Sequence, residues 1–260
     1  MSGNLYYFVS DVHLGLKVGD YKARERDFSS FIYGLPDNTR ALFLLGDIFD
    51  FWYEYKNVIP RGFTRTLGAI AAAVDRGIKV YYFSGNHDIW LYDYFQKEVR
   101  AEVFFEPRIF ELNGKSFYLA HGDRLFFGSR RYKFLQDVFH CRVLQFLFSG
   151  IHPRWAFAFG NWWSRHNRLS KKGTPERKLH LRNYVEKNIL GYAGKVQRTH
   201  VGKPIDFFIF GHFHYIADYK LEEGGRLIML GEWIRKKDYL VFDGDKLERR
   251  YFGKEPNMEK

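Results

Sequence analysis

Sulfur is the first scarcity. Cys141 is the only cysteine in 260 residues, so a single chain can form neither a disulfide framework nor a cysteine-based zinc site, and a reducing compartment is expected. Long apolar runs are missing as well: none approaches the roughly 20 residues needed to span a bilayer. The opening Met1-Ser2-Gly3-Asn4 lacks a basic n-region, and the Leu5 to Ser10 run is too short for a signal segment. No self-similarity at a solenoid-like period is present. These absences lead to the expectation of a soluble, cytoplasmic protein, with attachment to a membrane surface left open.

What the chain has in excess is positive charge and aromatic rings. A formal charge of +11 points to an anionic partner, whether nucleic acid, an acidic membrane face or a phosphorylated small molecule. The aromatic content is 20%. The length suffices for one large domain, or one domain carrying an insertion.

Apolar periodicity predicts strand, helix, strand, helix, strand over Leu5 to Ser10, Tyr21 to Tyr33, Ala41 to Leu45, Phe63 to Val74 and Ile78 to Ser84. That alternation implies parallel pairing with right-handed crossovers. Short strands follow at Ile109 to Leu112 and Lys115 to Ala120, joined by the hairpin signal Asn113-Gly114. Ile216 to Leu221, Arg226 to Leu230, Tyr239 to Phe242 and Lys246 to Tyr251 complete the set. Two antiparallel blocks flanking a parallel core suggest an α/β fold, a four-layer α/β/β/α sandwich. Between the blocks lie expected helices at Tyr132 to Phe148, Trp155 to Trp163 and Glu176 to Gln197, the last with Thr174 as N-cap. They define a helical lid insertion, 125–201, in a core made of 1–124 and 202–260.

Five of the apolar strand-like runs stop at a Gly or a tight turn bearing Asp, Asn or His, which is how an α/β sheet assembles a polar site at its carboxyl edge. They deliver Asp11 and His13, then Asp47, then Asn86-His87-Asp88, then His121, then His212 and His214. Asp11, His13, Asp47, Asn86, His121, His212 and His214 form a donor set of hard oxygens and imidazoles. Such a set suits two divalent ions such as Mn, Fe, Co or Zn. Seven ligands are too many for one uncrowded ion, and two ions require a bridging carboxylate from mid-sheet, for which Asp47 is the candidate.

Asp11-Val12-His13, Gly46-Asp47, Gly85-Asn86-His87-Asp88, His121 and Gly211-His212-Phe213-His214 resemble the full motif set of the calcineurin-like metallophosphoesterases. The resemblance implies one metal on Asp11, His13, Asp47 and His214, and a second on Asp47, Asn86, His121 and His212. It also implies a shared hydroxide as nucleophile, and His87 with Asp88 as a catalytic His-Asp pair.

From Leu125 to Lys178 eleven basic residues face only two acids, Asp137 and Glu176, amid sixteen Phe, Trp and Leu residues. Interfacial helices on anionic lipid, acyl-chain grooves and single-stranded nucleic acid sites all use such mixtures. Within the superfamily, a helical insertion placed here is similar to the lid of the UDP-2,3-diacylglucosamine pyrophosphatases of lipid A biosynthesis. That similarity implies a UDP-linked diacyl-sugar lipid cleaved to UMP and a monophosphorylated lipid, with two manganese ions, at an anionic inner-membrane surface on the cytoplasmic side. Asn86, His87, His212, Ser164 and Lys171 are then the substrate contacts, and no stable nucleic acid partner is expected. The chain departs from the main branch of that family in carrying His87 in place of Arg, and Ser129 in place of an acid. The competing readings are a metal-dependent phosphodiesterase or nuclease, and a non-catalytic scaffold of the same fold. Oligomeric state is not readable from the sequence.

Overall fold

The computed structural model describes residues 4–123, 134, 137–139, 141–169 and 175–253, the side chains at 161, 163–169, 175–182 and 185 excepted. Its first half alternates β1 (Leu5–Val9), α1 (Tyr21–Tyr33), β2 (Thr39–Leu45), α2 (Thr64–Asp75), β3 (Lys79–Phe83), a one-turn α3 (Tyr94–Lys97) and β4 (Glu102–Phe104). The hairpin β5 (Arg108–Leu112) and β6 (Lys115–Ala120) follows. Among the described residues α4 (Arg142–Ser149), α5 (Pro153–Leu169) and α6 (Pro175–Thr199) follow. The chain closes with β7 (Phe207–Phe210), β8 (Ala217–Lys220), β9 (Arg226–Met229), β10 (Asp238–Phe242) and β11 (Leu247–Tyr251).

Two sheets result, one six-stranded in the order β11-β10-β1-β2-β3-β4, the other five-stranded in the order β5-β6-β7-β9-β8. β1 to β4 pair in parallel, as do β6, β7 and β9. Both sheets are covered on both faces, so the central strands read as unbroken apolar runs whose residues alternate between two cores. From β1 to β3, Tyr7, Val9, Leu42, Leu44, Val80 and Tyr82 face α1 and α2. Their neighbours Phe8, Phe43, Leu45 and Phe83 face the second sheet and meet Phe117, Ile209 and Ile228 there. Much of the aromatic content sits in this inter-sheet layer, where Phe8 stacks on Phe43 at 4.8 Å and on Phe117 at 5.5 Å between centroids. Ile189 and Ala193 of α6 cover the outer face of the second sheet.

The four layers are those expected, and the three hairpins fall where their turns put them. α3 and β4 were not anticipated; each is a single turn or three residues, too short for a period to show. The predicted helix from Tyr132 to Phe148 is interrupted at Cys141, whose extended backbone (φ −68°, ψ 112°) starts α4 afresh. α5 runs well past the predicted Trp155 to Trp163, and Thr174 lies outside the described residues.

One carboxylate pins the ends of two strands, β2 and β3, together. Asp88, fully buried, accepts at Oδ1 from the backbone N–H of Gly85 (2.7 Å) and Asp47 (3.2 Å), and at Oδ2 from Ile48 N–H (2.9 Å) and the Tyr82 hydroxyl (2.6 Å). Asp88→Asn places an amide donor among these donors. It is expected to cost about 1–3 kcal/mol of stability, read as a lower urea midpoint at unchanged m-value.

Candidate metal centre

Each predicted ligand sits just past the carboxyl end of its strand, β1 to β3 from one sheet and β6 and β7 from the other, so the two sheets close on one point. The turns that do this are strained. Among the described residues eight non-glycine positions have left-handed backbone, and five of them are Asp11 (φ 55°), His13 (49°), Asp47 (52°), His212 (70°) and His214 (57°). A conformation costing about 1–3 kcal/mol per residue clusters on the predicted ligands.

Three glycines make the approach possible. A Cβ at Gly46 would meet the His121 ring 2.5 Å away at Nδ1, one at Gly85 would fall on the Asp47 carboxylate, and one at Gly211 would fall on Ser10 Oγ and Asp11 Oδ2. The motif glycines are therefore required by contact between loops.

The donor atoms converge. Asp11, His13, Asp47 and His214 offer atoms all within 4.8 Å of one another, and so do Asp47, His121 and His212; Asp47 belongs to both groups. His214 Nε2 lies 3.1 Å from Asp11 Oδ1 and 3.2 Å from His13 Nε2, and His13 Nε2 and His121 Nε2 lie 3.7 and 3.5 Å from Asp47 Oδ2. His121 Nε2, His212 Nδ1 and the Asn86 amide oxygen are buried without a hydrogen-bond partner. Buried polar atoms without partners are costly, and here they include ring nitrogens of two histidines that converge on Asp47 and the amide oxygen of Asn86. The residues present fit two divalent metal ions.

Neighbouring bonds hold the donors in place. Ser10 Oγ donates to Asp11 Oδ2 (2.5 Å), to which His212 N–H also donates (2.9 Å), and His87 N–H donates to Asp47 Oδ1 (2.9 Å). His121 Nδ1 pairs with the Leu45 carbonyl at 2.8 Å, which leaves Nε2 toward Asp47.

Electrostatics separate the imidazoles. Burial pushes the Asp47 carboxyl up, but His121 and His87 outweigh it and hold it well below the usual range. Burial lowers His121, yet the Asp47 charge raises it well above a normal histidine. His212 ends neutral, pushed down to about 3 by burial and then by the charge of His121.

Asp88 departs from its expected role. Its bonds go to backbone N–H groups and Tyr82, and the carboxylate beside His87 is Asp50, whose Oδ1 lies 3.8 Å and whose carbonyl lies 2.9 Å from His87 Nδ1. Asp50 went unassigned in the sequence reading. The available signal was its place three residues after Asp47, at the end of the same Gly-Asp segment. Lys171 and Ser129 lie outside the described residues, as does the side chain of Ser164, which falls on α5.

Residues 6–215 match the family model for calcineurin-like phosphoesterases, and the chain belongs to that family. More particular relatives bear one name. A UDP-2,3-diacylglucosamine hydrolase from Porphyromonas gingivalis is 36% identical over 93% of this chain and 95% of its own. Proteins of the same name from Haemophilus influenzae (27% identical, 90% and 91% covered) and Neisseria gonorrhoeae (28%, 92% and 94%) align over nearly the whole chain as well.

In the metal-free protein the His121 side of the pair with Asp47 contributes stability fully below about pH 6.5. That contribution is lost as pH rises through the elevated His121 value, while the Asp47 side is lost as pH falls through its depressed one. A metal needs the imidazole neutral. Mn2+ binding near pH 7 should therefore release about one proton from this pair, seen as a binding enthalpy that varies with the ionisation enthalpy of the buffer. A buffer-independent enthalpy would refute the assignment.

Proposed function

We propose that this chain is a dinuclear-metal hydrolase that cleaves UDP-2,3-diacylglucosamine to UMP and 2,3-diacylglucosamine 1-phosphate in lipid A biosynthesis. In this reading Asp11, His13, Asp47 and His214 take one metal, and Asp47, Asn86, His121 and His212 the other. Manganese is the favoured ion. When bound, the metal pair activates water and neutralises charge on the phosphoryl oxygens. The protein's own task is to hold those donors by strained turns, with His87 placed to stabilise or protonate the leaving oxygen. Residues 1–124 and 202–260 serve as the core and 125–201 as the lid, with Ser164 and Lys171 as lid contacts to substrate.

One observation carries the lipid part of the reading. The two loops that bear Asp47 and Asn86-His87 run straight on into an aromatic cluster on which the helical segment sits. From the first come Phe51, Tyr53 and Tyr55; from the second come Ile89 and Trp90, which cluster with Phe148 and Phe157 of the helical segment. Trp90 of this cluster also lines an apolar cavity of about 560 Å³, walled otherwise by Phe139, Leu144, Phe148, Trp155 and Phe159. Size and lining are those of a site for an apolar ligand, and Trp90, three residues along the chain from His87, is part of its wall. Core side chains tie the helices over it: Tyr53 and Tyr55 hydroxyls donate to the carbonyls of Gln145 (3.0 Å) and Ile151 (2.9 Å), and Trp90 Nε1 to that of Phe139 (3.0 Å).

Outside this cavity, α4 and α5 expose Val143, Phe146 and Trp162 beside Arg142 and Arg154. No helix among the described residues is long and apolar enough to cross a membrane. The exposed mixture suits shallow seating on an anionic inner membrane from the cytoplasmic side, where the substrate would be met.

Purified protein with Mn2+ should release UMP from UDP-2,3-diacylglucosamine in detergent micelles, followed by chromatography. Retained metal with no release, or faster cleavage of single-stranded oligonucleotides, would overturn the reading in favour of the scaffold or the nuclease. Trimming the acyl chains should raise KM by up to about fourfold per methylene removed from the cavity. His87→Ala should lower kcat with metal content intact, whereas Asp47→Ala should lose bound metal by elemental analysis.

A further inference from the structure

α4 separates two cavities, and the substrate accounts for only one of them. The helix turns Leu144, Leu147 and Phe148 toward the apolar cavity beside Trp90, and Arg142, Phe146 and Ser149 toward a second cavity of about 750 Å³. These are two rows at i+3 and i+4 spacing on different sides of one helix. Beneath them the segment after His87 divides in the same way, with Trp90 lining the first cavity and Ile89 and Leu91 the second. No side chain of α4 is itself buried. Gln145 secures the partition: its carbonyl accepts from the Tyr53 hydroxyl (3.0 Å), its Oε1 from the Tyr92 hydroxyl (3.4 Å), and its Nε2 donates to the Phe139 carbonyl (2.7 Å).

The second cavity is an open groove of mixed character. Tyr92, Phe105 and Phe146 line it and remain exposed, above the buried Ile89 and Leu91. Lys56 and Arg142 are its cations, both exposed and neither one paired among the described residues. Its two acids are already answered within the protein. Glu54 is buried and accepts at Oε1 from Trp52 Nε1 (3.0 Å), and at Oε2 from the N–H groups of Tyr92 (2.7 Å), Asp93 (2.9 Å) and Tyr94 (3.1 Å). Asp93 is paired with Lys97 Nζ at 2.7 Å. The groove thus presents two cations beside a trough of aromatic and aliphatic side chains. A free anion would use the cations and leave the trough empty, and a plain hydrocarbon would do the reverse. A molecule with a phosphate at one end and an acyl chain at the other uses both.

We propose that this groove is where the protein takes hold of the bilayer, by binding one anionic phospholipid with its phosphate at Lys56 and Arg142 and its acyl chain along Leu91, Phe105 and Phe146. α4 then keeps the bilayer lipid on one side and the substrate on the other. The placement also orients the molecule. Phe105 directly follows β4, the edge strand of the first sheet, so the membrane is met by that edge of the core together with α4. The proposal rests on the reading that the chain works at an anionic membrane, though not on the identity of the UDP-linked substrate.

The test uses the full chain without substrate, mixed with vesicles of phosphatidylcholine, alone or with phosphatidylglycerol, and sedimented. A parallel sample in detergent with phosphatidylglycerol is read by native mass spectrometry, and near-ultraviolet circular dichroism checks the fold of each variant. Wild type should bind only the vesicles that contain phosphatidylglycerol, less so as salt rises, and should carry one such lipid per chain. Lys56→Gln and Arg142→Gln should each weaken vesicle binding about fivefold, and Phe105→Ser about tenfold, all with loss of the bound lipid. Lys246→Gln removes an exposed cation from the β10–β11 turn, at the opposite edge of the same sheet, and should change neither readout. Unchanged binding in Lys56→Gln and Phe105→Ser would overturn the proposal, as would equal binding to uncharged vesicles. So would a raised KM for UDP-2,3-diacylglucosamine in micelles with vesicle binding intact, since the groove would then belong to the substrate. Vesicle binding without UMP release would sink the hydrolase reading and leave this one standing; UMP release without vesicle binding would do the opposite.

Discussion

A carboxylate buried among imidazoles is the constraint around which this molecule is arranged. Asp47 is almost wholly removed from water, and a charge in that position is unfavourable by several kcal/mol unless cations and donors surround it. The chain supplies His13 and His121 to one carboxylate oxygen and the His87 N–H to the other. Left-handed turns and glycines at 46, 85 and 211 then bring the loops closer than a Cβ would allow. Backbone strain and unpartnered ring nitrogens have one resolution in common, a pair of divalent ions, which fits the family to which the chain belongs.

Three acids within the loops that follow β2 and β3 divide the work by what surrounds them. Asp47 faces imidazoles, Asp50 lies behind two of them, and Asp88 binds only N–H groups and a tyrosine hydroxyl. Adjacency in sequence made Asp88 look like the partner of His87. In a tight turn, however, successive side chains diverge, and the one following His87 is turned inward beneath the strand ends.

The same two loops join the metal-binding candidates to the helical segment. Past their polar residues they become aromatic, and those rings form the floor beneath α4 and α5. The abundance of Phe, Tyr and Trp thus has three main destinations among the described residues: the core beneath α1 and α2, the layer between the sheets, and the seat of α4 and α5, where Tyr and Trp add a polar tip that bonds carbonyls of the helical segment. α6 follows α5 in the chain and covers the second sheet with Ile189 and Ala193.

Periodicity and punctuation were enough for the four layers and the hairpins, because strands buried on both faces must be apolar throughout and tight turns need particular residues. The seven metal-binding candidates were legible for a related reason: few combinations of Asp, Asn and His at strand ends can hold two cations, and each motif lies within a few consecutive residues. Other features depend on contacts between residues far apart in the chain, and no local pattern encodes those. The break at Cys141, the turn of Asp88 into the core, the stationing of Asp50 behind His13 and the cavity between helices and loops were all decided by packing. Local sequence determined which groups were available and where each strand would stop; the tertiary structure alone decided which of them face each other, because that depends on how two sheets stack and close.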